Sequence, residues 1–329
     1  VSNDLTPAWR PACSLELLRR RAELFAGIRA YFAEHGVLEV ETPLLSHTTV
    51  TDPHLSVFET TYKGRKRVGL YLQTSPEFAM KRLLAAGSGS IYQICKAFRN
   101  EELGRLHNPE FTLLEWYRVG FNLDDLIADA DALLQALSHG VRVLGPSEKI
   151  SYREAFFDCT GVDPIEAPWQ EFARCARESG LPEAANLCEK NRSLWLDFLF
   201  SHLVQPHLGA GRFAYVMDFP AVLPSLARAN PEDDRLVQRV EVFLDGLELG
   251  NGFFELTDSS QQEMRFERDL TERAALGLPV PGKDRRLLAA LAAGLPDCAG
   301  MALGVDRLLV ALYGLKSVSE TLTFPFEIA

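Results

Sequence analysis

The sequence predicts an α+β domain built around an antiparallel sheet. Segments with strand pattern lie far apart in the chain and are joined by long helical stretches, not by a regular strand–helix alternation. Two pairs of them read as hairpins, which only antiparallel strands make. The 329 residues, 47% hydrophobic and 24% charged, have ordinary globular composition and leave room for one large domain or two smaller ones.

Over residues 15–35, Leu17, Leu18, Leu24, Ile28, Tyr31 and Phe32 recur at helical spacing, with Ser14 placed to cap the start and Gly36 the end. VLEVETPLL follows as an alternating strand stopped at Pro43, which has no N–H for a ladder. YLQTS, residues 71–75, is a short strand; Ser75 suits an N-cap and Pro76 the first position of the helix EFAMKRLLAAG. Residues 91–99 and 111–119 form a hairpin in which Phe111, Leu113, Glu115 and Tyr117 share one face. Arg99 lies on its other strand, on the face of Gln93, Cys95 and Ala97. Residues 120–210 read as mainly helical, and FAYVMDF and QRVEVFLDGLELGNGFFEL return to strand. A helical stretch follows over about 260–295, then CAGMALGV reads as a small-residue strand feeding the helix DRLLVALYGL.

No apolar run nears the roughly 20 residues that span a bilayer, and VSNDLTPAWRPACS lacks a signal-peptide core. Six scattered cysteines without a C-x-x-C pair read as reduced thiols of a cytoplasmic protein. His202 and His207 are spaced H-x4-H with no glutamate between them, which argues against zinc. A net charge of −11 lacks the overall field of a nucleic-acid binder, although a local basic patch can hide inside an acidic total.

Three places carry chemistry. In FRNEELGRLHNPEFTLLEWYR, residues 98–118, groups that resist burial, including Arg99, Glu101, Asn108 and Glu115, crowd a hairpin of otherwise apolar strands. In VEVFLDGLELGNGFFEL, Asp245–Gly246 is a two-residue turn signal that pairs Leu244 with Leu247, Phe243 with Glu248 and Glu241 with Gly250. Glu241 and Glu248 then sit diagonally on one face, about 7 Å apart, where they repel unless a cation such as Mg²⁺ lies between them. Two ordinary glutamates on a solvent face would give the same pattern. In GMALGVDR, Gly300, Ala302 and Gly304 share a strand face open to a flat ligand or a second backbone, and Arg307 opens the next helix, well placed for phosphate. Common strand–helix packing explains this equally well, as a helix-dipole role explains Glu77. Together the places offer two arginines for anionic groups, a glutamate pair for a metal, and surplus acid at Glu77, Glu115 and Glu255 that a ligand with two ammonium groups would satisfy.

FRNE with HNPEFTLLEWY resembles the second signature motif of class II aminoacyl-tRNA synthetases in its lysyl form. VLEVETPLL resembles the first motif, which builds the family's dimer interface, and GMALGVDR the third; LELGNGFFEL is also close to the lysyl enzymes. The resemblance runs from about residue 15 to the C-terminus and implies the class II catalytic core, a six- or seven-stranded antiparallel sheet flanked by helices, in a homodimer. By motif position Arg99 would hold the α-phosphate and the substrate carboxylate, and Arg307 the γ-phosphate. Asn100, Glu101, Asn108, Leu249 and Gly304 would line the ATP site, with Phe111 stacked on adenine. Glu241 and Glu248 would hold Mg²⁺. Ser75, Pro76, Glu77, Glu115, Tyr117, Asn251, Glu255 and Ala302 would surround a lysine-like amino acid.

Two departures stand out. Lysyl-tRNA synthetases carry an N-terminal anticodon-binding barrel of about 100 residues. Here residues 1–14 are expected as a short arm and residues 15–329 as the catalytic domain, with no anticodon-binding domain. Ala302 also stands where the third motif usually has glycine. Both features resemble a stand-alone paralogue that joins (R)-β-lysine, or lysine, to a lysine of elongation factor P instead of to tRNA. The alternatives are a truncated synthetase that charges tRNA and a non-catalytic amino-acid sensor, against which the intact phosphate and metal positions count.

Overall fold

The computed structural model describes residues 9–223 and 226–329. Most of the expected arm, residues 1–8, lies outside them. In chain order the helices are α1 (Leu15–Glu34), α2 (Glu77–Ala85), α3 (Leu123–Ser138), α4 (Tyr152–Thr160), α5 (Trp169–Glu178), α6 (Ala184–Cys188), α7 (Arg192–Leu199), α8 (Ser259–Ala275), α9 (Arg285–Gly294) and α10 (Val305–Tyr313). The strands are β1 (Leu38–Glu39), β2 (Leu45–Ser46), β3 (Glu59–Lys63), β4 (Arg67–Leu72), β5 (Ile91–Phe98), β6 (Glu110–Val119), β7 (Glu148–Ser151), β8 (Ala214–Pro220), β9 (Leu236–Leu244), β10 (Leu247–Phe254) and β11 (Cys298–Gly304).

One sheet has the order β1-β5-β6-β11-β10-β9-β8-β7, and β2-β4-β3 form a smaller one. The large sheet thus has eight strands among the described residues, not six or seven. Its outermost pairs, β1/β5 and β7/β8, are parallel, while the strands between are antiparallel. β7 lies inside the stretch read as helical: four residues are too few to show a period, and Ser151 at once caps α4. VLEVETPLL pairs over only two residues in β1 before the chain leaves the sheet, and the pairing of YLQTS ends at Leu72. α2 starts one residue later than expected: Pro76 is its N-cap, and Ser75 Oγ accepts from the Glu77 amide at 3.3 Å.

Alternation sorts the central strands into two faces. On β6, Leu114 and Trp116 are fully buried, and on β11 so are Ala299, Met301 and Leu303. These join Ile28 and Phe32 of α1, Leu126 and Ile127 of α3 and Leu308 of α10 in the principal core. Burying each such large side chain stabilises the fold by about 1.5–3 kcal/mol. That packing fixes the pitch of the sheet, and the alternate residues, Leu113, Glu115, Tyr117, Gly300, Ala302 and Gly304, are left facing a cavity.

Candidate active site

The cavity holds about 490 Å³ and lies over the middle of the large sheet. Beneath it runs a row across five strands: Gln93 opposes Glu115, Glu115 opposes Ala302, Ala302 opposes Asn251, and Asn251 opposes Glu241; the middle three, Glu115, Ala302 and Asn251, line the cavity. The last pairing corrects the expected register. Asp245 and Gly246 do form the turn, with φ of 50° and 74°, and Leu244/Leu247 and Phe243/Glu248 pair as expected. A bulge between Glu248 and Gly250 then shifts the ladder, so Gly250 meets Val242 and Asn251 meets Glu241. An extra residue reverses the alternation beyond it. This turns Asn251 onto the face of Glu248, where strict alternation would have put Gly250.

At one end of the row is a buried charge cluster. Lys81 Nζ lies 2.6 Å from Glu77 Oε1 and 2.6 Å from Glu255 Oε2, with the lysine side chain 2% exposed. Burial works against its charge, but Glu255 and Glu77 outweigh this and raise its pKa. Glu115 Oε1 accepts from Tyr117 Oη at 2.7 Å, while its Oε2 is buried with no hydrogen-bond partner. Burial, with repulsion from Glu77, pushes the Glu115 carboxyl up to about 8. Burial likewise raises Glu255, which Lys81 pulls partly back. Gly300 makes this corner possible: a Cβ there would lie 2.4 Å from the Tyr117 ring and 2.9 Å from Glu255 Oε1. The space expected above Gly300 for a flat ligand is therefore filled by Tyr117.

At the other end are the arginines. Arg99 follows β5, its guanidinium 5.1 Å from the centre of the Phe111 ring and 3.8 Å from Glu102, and its buried Nε has no partner. Arg307 donates to the Glu248 carbonyl at 3.0 Å and lies 2.6 Å from His107 Nε2. Burial and the neighbouring Arg307 hold that imidazole below its usual pKa. The helix bearing Arg307 is pinned through its neighbour: Asp306 accepts from Arg21 of α1 at 2.6 Å and from the Thr112 amide at 2.8 Å.

Ser75, Glu77, Arg99, Phe111, Glu115, Tyr117, Asn251, Glu255, Ala302 and Arg307 line the cavity, as do Asn108, Glu248, Leu249 and Gly304. Asn108 is engaged in tethering: its amide donates to the Glu110 carbonyl at 2.6 Å and accepts from the Phe326 amide at 3.1 Å. Pro76, Asn100, Glu101 and Glu241 do not line the cavity. Glu101 has φ of 67° and accepts from Ser56 Oγ at 2.8 Å in a turn beside Asn100. Glu241 is 8% exposed and ion-paired with Arg239. Sequence reasoning missed Arg239 and Lys81. Strand and helix spacing held the signal, since Arg239 is two residues before Glu241 and Lys81 four after Glu77.

The oxygen-only set at Glu241, Glu248 and Asn251 fits a hard divalent cation. Burial raises the Glu241 carboxyl; Arg239 opposes this and Glu248 adds to it. Opposite Glu241, Asn251 Oδ1 is a buried acceptor with no partner. Among the described residues no group of three or more His, Cys, Asp or Glu side chains is placed to hold a metal, so phosphate and water oxygens would complete the shell. No helix among them is long and apolar enough to cross a membrane, and the six cysteines are free thiols.

The family model for tRNA synthetases class II (D, K and N) matches residues 8–327. A protein of Vibrio parahaemolyticus named elongation factor P–(R)-beta-lysine ligase is 48% identical over 324 residues, 98% of this chain and 99% of that one. Its namesake in Vibrio vulnificus is 49% identical over 324 residues, with the same coverage, and that of Klebsiella pneumoniae 46% over 325, covering 98% of both chains. With the motifs set side by side on one sheet face, these matches show that the chain belongs to the class II tRNA synthetase family, in the branch of the elongation factor P–(R)-beta-lysine ligases.

Proposed function

We propose that the protein activates (R)-β-lysine, or lysine, with ATP as an acyl adenylate and transfers it to a lysine side chain of elongation factor P. One observation carries the reading. The cavity has a buried unpartnered donor at one end, Arg99 Nε, and buried unpartnered acceptors along its floor, Glu115 Oε2 and Asn251 Oδ1. Buried polar groups are rarely left unpaired, so such a site is complementary to a ligand anionic at one end and cationic along its length.

Arg99 aligns the substrate carboxylate with the α-phosphorus and neutralises charge as it builds there. A carboxylate oxygen attacks that phosphorus, the bond to pyrophosphate breaks, and the acyl adenylate forms without a general base. Arg307 holds the departing phosphates; Asp306, clamped by Arg21, fixes the helix that carries it. Glu77, Glu115 and Glu255 receive the ammonium groups. Mg²⁺ held by Glu241 and Glu248 would supply charge neutralisation on the phosphates. The deprotonated acceptor amine then attacks the acyl carbon, AMP leaves, and an amide forms. A homodimer fits Leu38, Leu44 and Leu45, which are 56%, 38% and 48% exposed around β1 and β2. Reduced thiols fit a cytoplasmic location.

The test is intact-mass measurement of elongation factor P after incubation with the enzyme, ATP and each lysine isomer. One lysyl adduct, formed best from the (R)-β isomer, is expected. Labelling of tRNA with no adduct on the protein would defeat the reading.

A further inference from the structure

The β3–β4 hairpin joins the rest of the domain through β2, which pairs with β4 at Leu45/Leu72 and Ser46/Tyr71, and leaves β3 on the outside. All five residues of β3 are exposed, so neither of its faces packs on the domain. Among the described residues β3 pairs only with β4, which leaves its outer edge unpaired. The hairpin tip carries Lys63, Arg65, Lys66 and Arg67, all exposed. None of the four has an ion pair or side-chain hydrogen bond among the described residues. Four free cations within five residues are thus concentrated on one projection of a chain whose net charge is −11.

The base of that projection is the rim of the active site. Leu55 lines the cavity, Ser56 is bridged to Asn100 beside Arg99, and β4 leads into Thr74 and Ser75 on the cavity wall. From Ser56 to Lys63 an extended chain reaches about 23 Å, long enough for the tip to meet a macromolecule held at the mouth.

We propose that this hairpin is a docking arm for an acidic face of the acceptor protein, holding that protein while its lysine enters the cavity. The proposal rests on the reading of elongation factor P as acceptor. An acidic enzyme repels an acidic partner, and a local patch of opposite sign steers the two together and fixes their orientation. Charges this close act as one patch, being within a Debye length of about 8 Å at physiological ionic strength. The free edge of β3 favours a protein over RNA, because unpaired strand N–H and C=O groups match another polypeptide.

The experiment compares wild type with the Lys63→Gln/Arg65→Gln/Lys66→Gln/Arg67→Gln variant, using purified unmodified elongation factor P. Kd for that protein and KM for it in transfer should each rise roughly tenfold at low salt, and the difference should shrink as salt screens the arm. Lysine-dependent pyrophosphate exchange should be unchanged, because the altered residues lie outside the cavity. An unchanged Kd in the variant overturns the proposal, as does a variant that loses retention of labelled tRNA while keeping its Kd for the protein. Absence of exchange in wild type would refute the activation reading instead. The two failures are distinguishable because Kd is measured without turnover.

Discussion

Substrate affinity should depend on pH through Glu115. This carboxyl is 2% exposed and is pushed to about 8 by burial and by Glu77. Facing it are Tyr117 on its own strand, Glu77 and Lys81 on α2, and Glu255 at the end of β10, with Gln93 opposite on β5. A ligand ammonium stabilises the ionised form, so binding requires loss of the proton. The carboxyl's pKa is raised in the empty site and falls when the ligand binds; affinity therefore strengthens as pH rises and levels off above the free-site value. One unit of pKa corresponds to about 1.4 kcal/mol, so the proton weakens binding roughly tenfold near pH 7 and about a hundredfold near pH 6. The ligand's side-chain ammonium keeps its proton over most of this range, an alkylammonium titrating near 10. The assay is the amino-acid KM in pyrophosphate exchange from about pH 6 to 9, with calorimetry in buffers of different ionisation enthalpy to count the released proton. Glu115→Gln should bind more weakly at high pH and lose the slope. A flat wild-type profile, or the same slope in the variant, would refute the reasoning.

Arg99→Ala and Arg307→Ala should each lower pyrophosphate exchange about a hundredfold or more while circular dichroism and Tm stay near wild type, since each removes a cation aimed at phosphate. Glu241→Gln or Glu248→Gln should raise the Mg²⁺ concentration needed for half-maximal exchange, because an amide is a poorer ligand for a hard ion; an unaltered Mg²⁺ titration would remove both from the metal site. Lys81→Met should lower unfolding free energy by about 3–5 kcal/mol in urea titration, since it strands Glu77 and Glu255 without their shared cation. Ala302 places its methyl between Glu115 and Asn251, so Ala302→Gly should move preference from (R)-β-lysine toward α-lysine by about 1–3 kcal/mol in relative kcat/KM, and an unmoved ratio would make Ala302 a packing residue only.

What the sequence made legible was whatever a local rule could reach. Ser14 caps α1, Asp245–Gly246 turns β9 into β10, and Phe111, Leu113, Glu115 and Tyr117 share a face, each because the deciding atoms lie within a few residues. The failures are long-range. β1 and β7 exist because β5 and β8 offer them edges, and two or four residues cannot announce that alone. The bulge after Glu248 changes one pairing, yet it decides whether Gly250 or Asn251 faces Glu241 and so whether an amide oxygen joins the carboxylates. Lys81 shows the same limit from the side of charge. In sequence it is an unremarkable cation on a helix, and Glu77 four residues earlier explains it as a surface pair. Only the return of Glu255 from the far end of β10 makes it the buried centre of three charges. That position alters the chemistry. Lys81 already engages one oxygen of Glu77 and one of Glu255, so Glu115, which it does not contact, is the carboxyl left to gain a proton in the empty site and lose it to an incoming ammonium.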